Sequence, residues 1–359
     1  METCSNPGCD QPGTNKCSGC KITHYCGPTC QKENWSIHKE SCDGRLRKIG
    51  MAHLDKARGF DRDNNWQQLL RYSNLAATKL KQLKDRPLEA ISEALAMKCA
   101  ALGFLGRYRE QLECAKEWYC LWNTKPTDVG AIDAAFALIQ SCIHNNEFED
   151  AKLYASTLLG IINHKYDNKI PEDQRQQYIA EGSYYLAQAI LRLAEAGGTS
   201  PAEKQRAGHD AIAGARKALE IHTRLHGTEH ERVANDMSVL AEALDFFNDV
   251  DDDDEVLRLF EQAKAIDTRV YGSSSSNVGI DELNLGNTYH RRAAQAHNAN
   301  DLDRELANLE LALPHYREAA RINRAVGRVD RATGDVQDIV QVEALMRQVG
   351  IARAAATKG

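Results

Sequence analysis

Apolar residues along most of this chain recur at intervals of three to five rather than two. Between residues 66 and 83 they fall at Trp66, Leu69, Tyr72, Leu75, Leu80 and Leu83. Between 88 and 105 they fall at Leu88, Ile91, Leu95, Cys99, Leu102 and Leu105. Such spacing lays one apolar stripe along a helix. Asp85-Arg86-Pro87 separates the stripes, since proline stops one helix and starts the next. The turn Gly106-Arg-Tyr108 then leads into a helix through Trp118 and Leu121, and Asn146-Glu-Phe148-Glu-Asp-Ala151 repeats that turn forty residues on.

A second repetition follows. Ala218-Leu-Glu-Ile221-His-Thr223-Arg224-Leu-His-Gly227 reappears as Ala263-Lys-Ala-Ile266-Asp-Thr268-Arg269-Val-Tyr-Gly272, and Val233 and Leu240 map onto Val278 and Leu285 at the same offset of 45. Ala320-Arg-Ile322-Asn-Arg324-Ala-Val-Gly327 is a blurred third copy. Matching apolar positions at one offset imply a repeated helical unit. Ser200-Pro-Ala-Glu203 reads as a capping box with proline at the first helical position. Thr228 and Glu231 read the same way, while Gly197–Ser200 and Ser273–Ser276 read as flexible loops. The acidic run Asp249…Asp251-Asp-Asp-Asp254-Glu255 lacks the glycine and closing glutamate of a calcium loop and reads as a solvated helix cap. Gly334–Ala356 is expected to form one amphipathic helix that caps the stack.

The first 42 residues break this pattern. They hold seven of the eleven cysteines, in Cys4, Cys9, Cys17, Cys20, Cys26, Cys30 and Cys42, together with His38. The other four, Cys99, Cys114, Cys120 and Cys142, are scattered as small hydrophobes are. Eight thiol and imidazole groups supply two tetrahedral zinc sites, and a fully occupied set of four is structural. The ligands fall in the pairs Cys4/Cys9, Cys17/Cys20, Cys26/Cys30 and His38/Cys42. Pro7-Gly8 and Ser18-Gly19 supply turns for the first two, and the spacing of four places each later pair on one side of a helix. A disulfide knot is the rival reading. The odd cysteine count and the start Met-Glu-Thr-Cys, which has no secretory signal, weigh against it. Spacing alone leaves open how the four pairs combine.

The pattern C-x4-C-x7-C-x2-C-x5-C-x3-C-Q-x3-W-x2-H-x3-C, with Tyr25 before Cys26, resembles the MYND-type zinc finger. The resemblance implies interleaved pairs, with Cys4, Cys9, Cys26 and Cys30 on one zinc and Cys17, Cys20, His38 and Cys42 on the other. It also implies a groove for short proline-containing peptides at Ser18, Gln31 and Trp35. Gln31 and Trp35 are four apart and share a helix face, although Trp35 is also a candidate for the core of so small a domain. The 40- to 45-residue units resemble tetratricopeptide repeats, Leu102-Gly103 and Tyr108 fitting that motif, and the later units resemble the kinesin-light-chain variety with a Gly-x-x-His loop at Gly227–His230. HEAT-like pairs remain an alternative. The expected organisation is mainly α: a MYND-type finger over 1–45, connecting helices over 46–86, a solenoid of stacked antiparallel helix pairs over 87–332, and a capping helix and tail over 333–359.

Composition adds exclusions. The net charge of −6 divides into +2 over the first 48 residues, from seven basic and five acidic side chains, and −8 over the rest. That balance disfavours nucleic acid as a partner of the body. No stretch approaches the ~18 apolar residues of a membrane span, and a reducing compartment, cytosol or nucleus, is expected. MYND-type fingers also occur in lysine methyltransferases, but no Asn-His-Ser-Cys-like stretch or strand-rich segment of a SET domain is found. His-Glu-x-x-His, Gly-x-Ser-x-Gly and the phosphate-loop pattern are absent too, and His38-Lys-Glu40 lacks the Pro-Cys-x-x-Cys that completes a deaminase site. The expectation is therefore a non-enzymatic adaptor binding proteins, with a methyltransferase-related protein or a ciliary or cytoskeletal assembly component as alternatives. Asn287 and Arg291, one helical turn apart, are candidates for holding an extended peptide in the repeat groove, or merely surface polar residues.

Overall fold

The computed structural model describes residues 2–63, 65–122, 128–165, 170–197, 200–247, 254–327 and 329–356, though not the side chains at 164–165, 254, 329–332 and 355–356. They form two compact units, Met1–Tyr154 and Ala155–Gly359.

The first unit opens with the finger. Strands β1 (Asn15–Lys16) and β2 (His24–Tyr25) pair antiparallel, with Asn15 opposite Tyr25 and Lys16 opposite His24, and helix α1 (Pro28–His38) follows. Then come α2 (Asp43–Arg62), α3 (Trp66–Lys81), α4 (Leu88–Phe104), α5 (Tyr108–Leu121) and α6 (Val129–His144). Each packs on the next, and α2 also meets α4 as α4 meets α6, as in a stack of helix pairs. The stripe from Trp66 becomes α3, whose Asn65 cap accepts the Gln68 N–H at 3.3 Å, and its Leu69, Ala76 and Leu80 are fully buried. Across the expected division at residue 86 the packing continues, α3 lying against α4. Arg58 binds Glu93 through two 2.7 Å bonds that join α2 to α4.

The turns repeated at offset 40 share one geometry. Gly106 (φ +69°) and Asn146 (φ +61°) end their helices in the left-handed region. The next N–H reaches five residues back in each, Arg107 to Leu102 and Glu147 to Cys142, both at 2.9 Å. This is the Schellman ending, which favours glycine or asparagine.

Helix α7 (Phe148–Lys165) spans the division, and the second unit continues with α8 (Glu172–Glu195), α9 (Pro201–His226), α10 (Glu231–Phe247), α11 (Asp254–Tyr271), α12 (Ser276–Asn298), α13 (Leu302–Ala325) and α14 (Val329–Ala356). Sequential neighbours pack together from α8 to α14, and α10 also touches α8 and α12. Gly227 and Gly272, equivalent at offset 45, close α9 and α11 at φ +84° and +85°. Val233, Leu240, Val278 and Leu285 are all buried, and Leu240 and Leu285 share one cluster with Val239, Leu244 and Phe260. Among the described residues every element after residue 42 is a helix. The chain is mainly α, with tetratricopeptide-like helix pairs behind a small finger.

One local expectation is corrected and another is refined. The Ser200 capping box is present with both its bonds, but the Thr228/Glu231 one is not: α10 begins at Glu231, and His230 Nδ1 accepts the Arg232 N–H at 3.2 Å. His230 therefore caps α10 instead of Thr228. The Ser273–Ser276 loop supplies a cap, since Ser275 Oγ accepts the Val278 N–H. Residues 249–253 of the acidic run and Gly198-Thr199 lie outside the described residues. No helix among the described residues is long and apolar enough to cross a membrane.

Candidate metal centre

Two sets of four ligands converge in the finger. The ligand atoms of Cys4, Cys9, Cys26 and Cys30 lie within 4.8 Å of one another, as do those of Cys17, Cys20, His38 and Cys42. The interleaved arrangement holds. Its cause is the β1–β2 hairpin, which folds the chain so that each knuckle meets a distant partner: Cys4/Cys9 meet the segment after β2, and Cys17/Cys20 meet the far end of α1.

One local expectation fails here. Neither later pair sits on one helix: Cys26 precedes α1 while Cys30 lies in its first turn, and His38 ends α1 while Cys42 is the N-cap of α2. Each pair straddles a helix end. One ligand of each pair thus sits on rigid helix while the other lies just outside it.

The donor chemistry fits zinc. Sulfur separations are 3.7 Å for Cys9–Cys26, 3.4 Å for Cys26–Cys30 and 3.9 Å for Cys17–Cys42. A tetrahedron with Zn–S of about 2.3 Å has edges of about 3.8 Å. The thiols are all free. A backbone N–H at Asn6 draws the Cys4 thiol down to about 7, while proton sharing with Cys30 and Cys9 pushes Cys26 up to about 12. Thiols this crowded cannot all ionise unless a cation balances them. Burial lowers the His38 pKa and favours the neutral imidazole a metal needs. His38 Nε2 faces Cys20 Sγ at 3.5 Å, and Nδ1 faces Thr23 Oγ1 at 3.4 Å, which orients the ring. The chain thus carries two structural zinc ions.

Packing around the ligands separates the two aromatic residues. Tyr25 is fully buried among the thiols, its hydroxyl donating to Asn34 Oδ1 at 2.9 Å. Trp35 is 38% exposed and lies edge-on to His38. Gln31 Nε2 donates to Cys17 Sγ at 3.6 Å, and Ser18 is exposed on the neighbouring knuckle. Gly44 was not singled out from sequence: a Cβ there would fall inside the backbone of Gly19. That contact links two glycines 25 residues apart, so no local pattern announces it.

Residues 3–42 match the model of the MYND finger family. This stretch is a MYND finger. It is 45% identical over 40 residues to SET domain and MYND-type zinc finger protein 6 of Schizosaccharomyces pombe, a match covering 11% of this chain and 8% of that protein. It is 44% identical over 32 residues to the histone-lysine N-methyltransferase ASHR1 of Arabidopsis thaliana, covering 9% of this chain and 7% of that one. Tudor domain-containing protein 1 of Oryzias latipes is 47% identical over 34 residues, 10% of this chain and 3% of that protein. The chain thus matches under a tenth of each relative's length, and the shared part is the MYND finger. In overall fold the chain is similar to a Rap protein complexed with competence and sporulation factor, at a TM-score of 0.50 and 10% identity, covering 89% of this chain and 81% of that one. A Podosopora anserina kinesin-light-chain structure of nearly identical TPR-like repeats aligns at a TM-score of 0.45 and 14% identity, over 62% of this chain and 96% of its own.

Away from the MYND finger, Asn287 is exposed and Arg291 half-buried, and both are engaged by neighbouring helices. Asn287 Oδ1 accepts the Tyr316 hydroxyl at 2.9 Å, and Arg291 Nε donates to Asp245 at 2.9 Å. Asn287 is thereby tied to α13 and Arg291 to α10, while part of each side chain stays open to solvent.

Proposed function

We propose that this chain is a zinc-dependent interaction adaptor without catalytic activity. Its MYND finger docks a short proline-containing segment across Ser18, Gln31 and Trp35, and its helix pairs hold a second protein. The exposure of Trp35 carries the reading. With Tyr25 filling the core, the indole is left as a flat wall on the surface of α1. Proline-rich segments dock on such walls because their extended form is already ordered. Gln31 supports this: its amide N–H is directed at Cys17 Sγ, leaving Oε1 to accept a ligand N–H, and the same bond draws Gln31 towards Ser18. Stacked helix pairs offer an extended surface for a second partner. Cytosol or nucleus is the proposed location. A relation to SET-domain methyltransferases is the weaker reading, since the matched relatives share only the finger and a SET domain is mostly β.

The test is binding of a fluorescent Pro-Leu-Pro peptide to the full chain and to Trp35→Ala, with zinc content measured on both. An aromatic anchor contributes about 2 kcal/mol or more, so affinity should fall about 30-fold while two zinc equivalents remain. Unchanged affinity would place the interaction elsewhere. Loss of zinc would mean that Trp35 is core after all.

A further inference from the structure

Helices α8, α9 and α10 enclose a cavity of about 160 Å³. Tyr184 and Tyr185 of α8, His222 of α9 and Asn235 of α10 line it, with Glu181, Arg232 and Asp236 beside them. His222 is 2% exposed and Asp236 1%. His222 Nδ1 meets Asp236 Oδ2 at 2.6 Å, while its Nε2 is buried and has no hydrogen-bond partner. A buried polar atom left unpaired costs free energy, so one in the wall of a cavity points to something the cavity takes in.

The ring's own chemistry narrows the choice. Burial raises the Asp236 pKa, while the His222 bond and the Arg232 charge oppose that. Asp236 thus accepts, and the Nδ1–H of His222 donates. A neutral imidazole held in this way presents Nε2 as a lone pair, which calls for an N–H or O–H donor. Charge narrows it further. Two acids, Glu181 and Asp236, stand against one base, and that base, Arg232, is already paired with Glu181. One negative charge is left over, which favours a cation and disfavours an anion.

Shape and walls agree. The Tyr184 and Tyr185 rings meet edge to face at 5.1 Å, and aromatic walls attract both alkyl chains and cations. The volume is that of about five waters, which suits the stem and single nitrogen of lysine but not the longer, wider guanidinium of arginine. We infer that this cavity takes a primary alkylammonium, presented as a lysine side chain by the second protein that the helix pairs hold. The inference rests on that reading of the helix pairs and names the side chain they recognise. The ammonium donates to His222 Nε2, its stem lies against the tyrosine rings, and the exposed Asn235 offers a second acceptor.

The test uses the full zinc-loaded chain with isotope-labelled histidine, the His222 ring nitrogens being read by NMR at mildly alkaline pH. The probes are acetyl-Gly-Gly-Lys-Gly-Gly-amide, its norleucine counterpart and n-butylammonium, each at millimolar concentration. The lysine peptide should move the Nε2 resonance. The norleucine peptide should bind about tenfold more weakly or worse, because it leaves Nε2 unsatisfied. His222→Asn removes Nε2 but keeps a donor for Asp236, in the form that Asn323 and Asp335 adopt at 2.8 Å in the last copy of the repeat. It should bind the two peptides alike. Tyr184→Leu leaves the His222–Asp236 pair in place and should weaken the lysine peptide severalfold, which guards against the first variant failing to fold. Equal binding of both peptides to wild type would overturn the lysine pocket while keeping the helix pairs as a peptide surface. Binding of neither would overturn the pocket and count against the broader reading too. An Nε2 that already carries a proton would overturn the inference, since the ring would then be a donor. So would butylammonium bound as tightly as the peptide, since the occupant would then be a free amine.

Discussion

Gly44→Ala tests the finger's construction at the point where two of its parts touch. Gly44 lies in the first turn of α2, two residues after the ligand Cys42, and meets the backbone of Gly19 between the ligands Cys17 and Cys20. Two effects of a methyl group oppose each other. Alanine favours a helix over glycine by ~1 kcal/mol. Against this, the added carbon overlaps the Gly19 carbonyl, and a backbone cannot swing aside as a side chain can. Overpacking costs ~1–3 kcal/mol and more when backbone must shift, so the clash wins, with a net loss of ~1–2 kcal/mol or more. The loss falls on the zinc held by Cys17, Cys20, His38 and Cys42. Structural zinc contributes ~10–16 kcal/mol, so that site still fills when zinc is in excess, and stoichiometry alone would miss the effect. Competition with a chelator reads it: one equivalent should leave at about 5- to 30-fold lower chelator, the other at the wild-type concentration. Two equivalents leaving as in wild type would refute the reasoning. Joint early loss of both would show that the sites are not separable.

Other outcomes follow from the same structure. Metal analysis of protein purified under reducing conditions should give about two zinc equivalents, and chelation should unfold residues 1–42 while most helical circular dichroism persists, because the ligands all lie there. Leu285→Ala, at a fully buried position beside Leu240 and Phe260, should lower stability by ~2–5 kcal/mol in denaturant unfolding; a loss under 1 kcal/mol would contradict its place in the core.

What could be read along the chain was whatever a few consecutive residues decide. Helical stripes from Trp66 and Leu88 became α3 and α4, because i, i+3 and i+4 neighbours meet on any helix regardless of the rest of the fold. The eight ligands were legible because seven cysteines and a histidine in four close pairs are the donor set that two zinc sites need, and the offset of 45 was legible because each unit buries the same positions against the next. The Ser200 box was read correctly for the same local reason, whereas Thr228 and Glu231 showed the same spacing and failed, since His230 caps that helix instead.

Tertiary structure decided everything that joins distant residues. Spacing allowed both pairings of the knuckles, and the β1–β2 hairpin selects the interleaved one by bringing Cys9 to Cys26 and Cys17 to Cys42. Tyr25 and Trp35 are both aromatic residues beside ligands, yet one is core and the other surface, because only the folded finger has an inside. Asn287 and Arg291 looked available on their own helix and are bound by Tyr316 and Asp245, which lie 29 and 46 residues away. The Asp267 and Asp281 carboxyls are ordinary acids in sequence. Burial in the folded chain, which penalises the charged form, is what changes their chemistry.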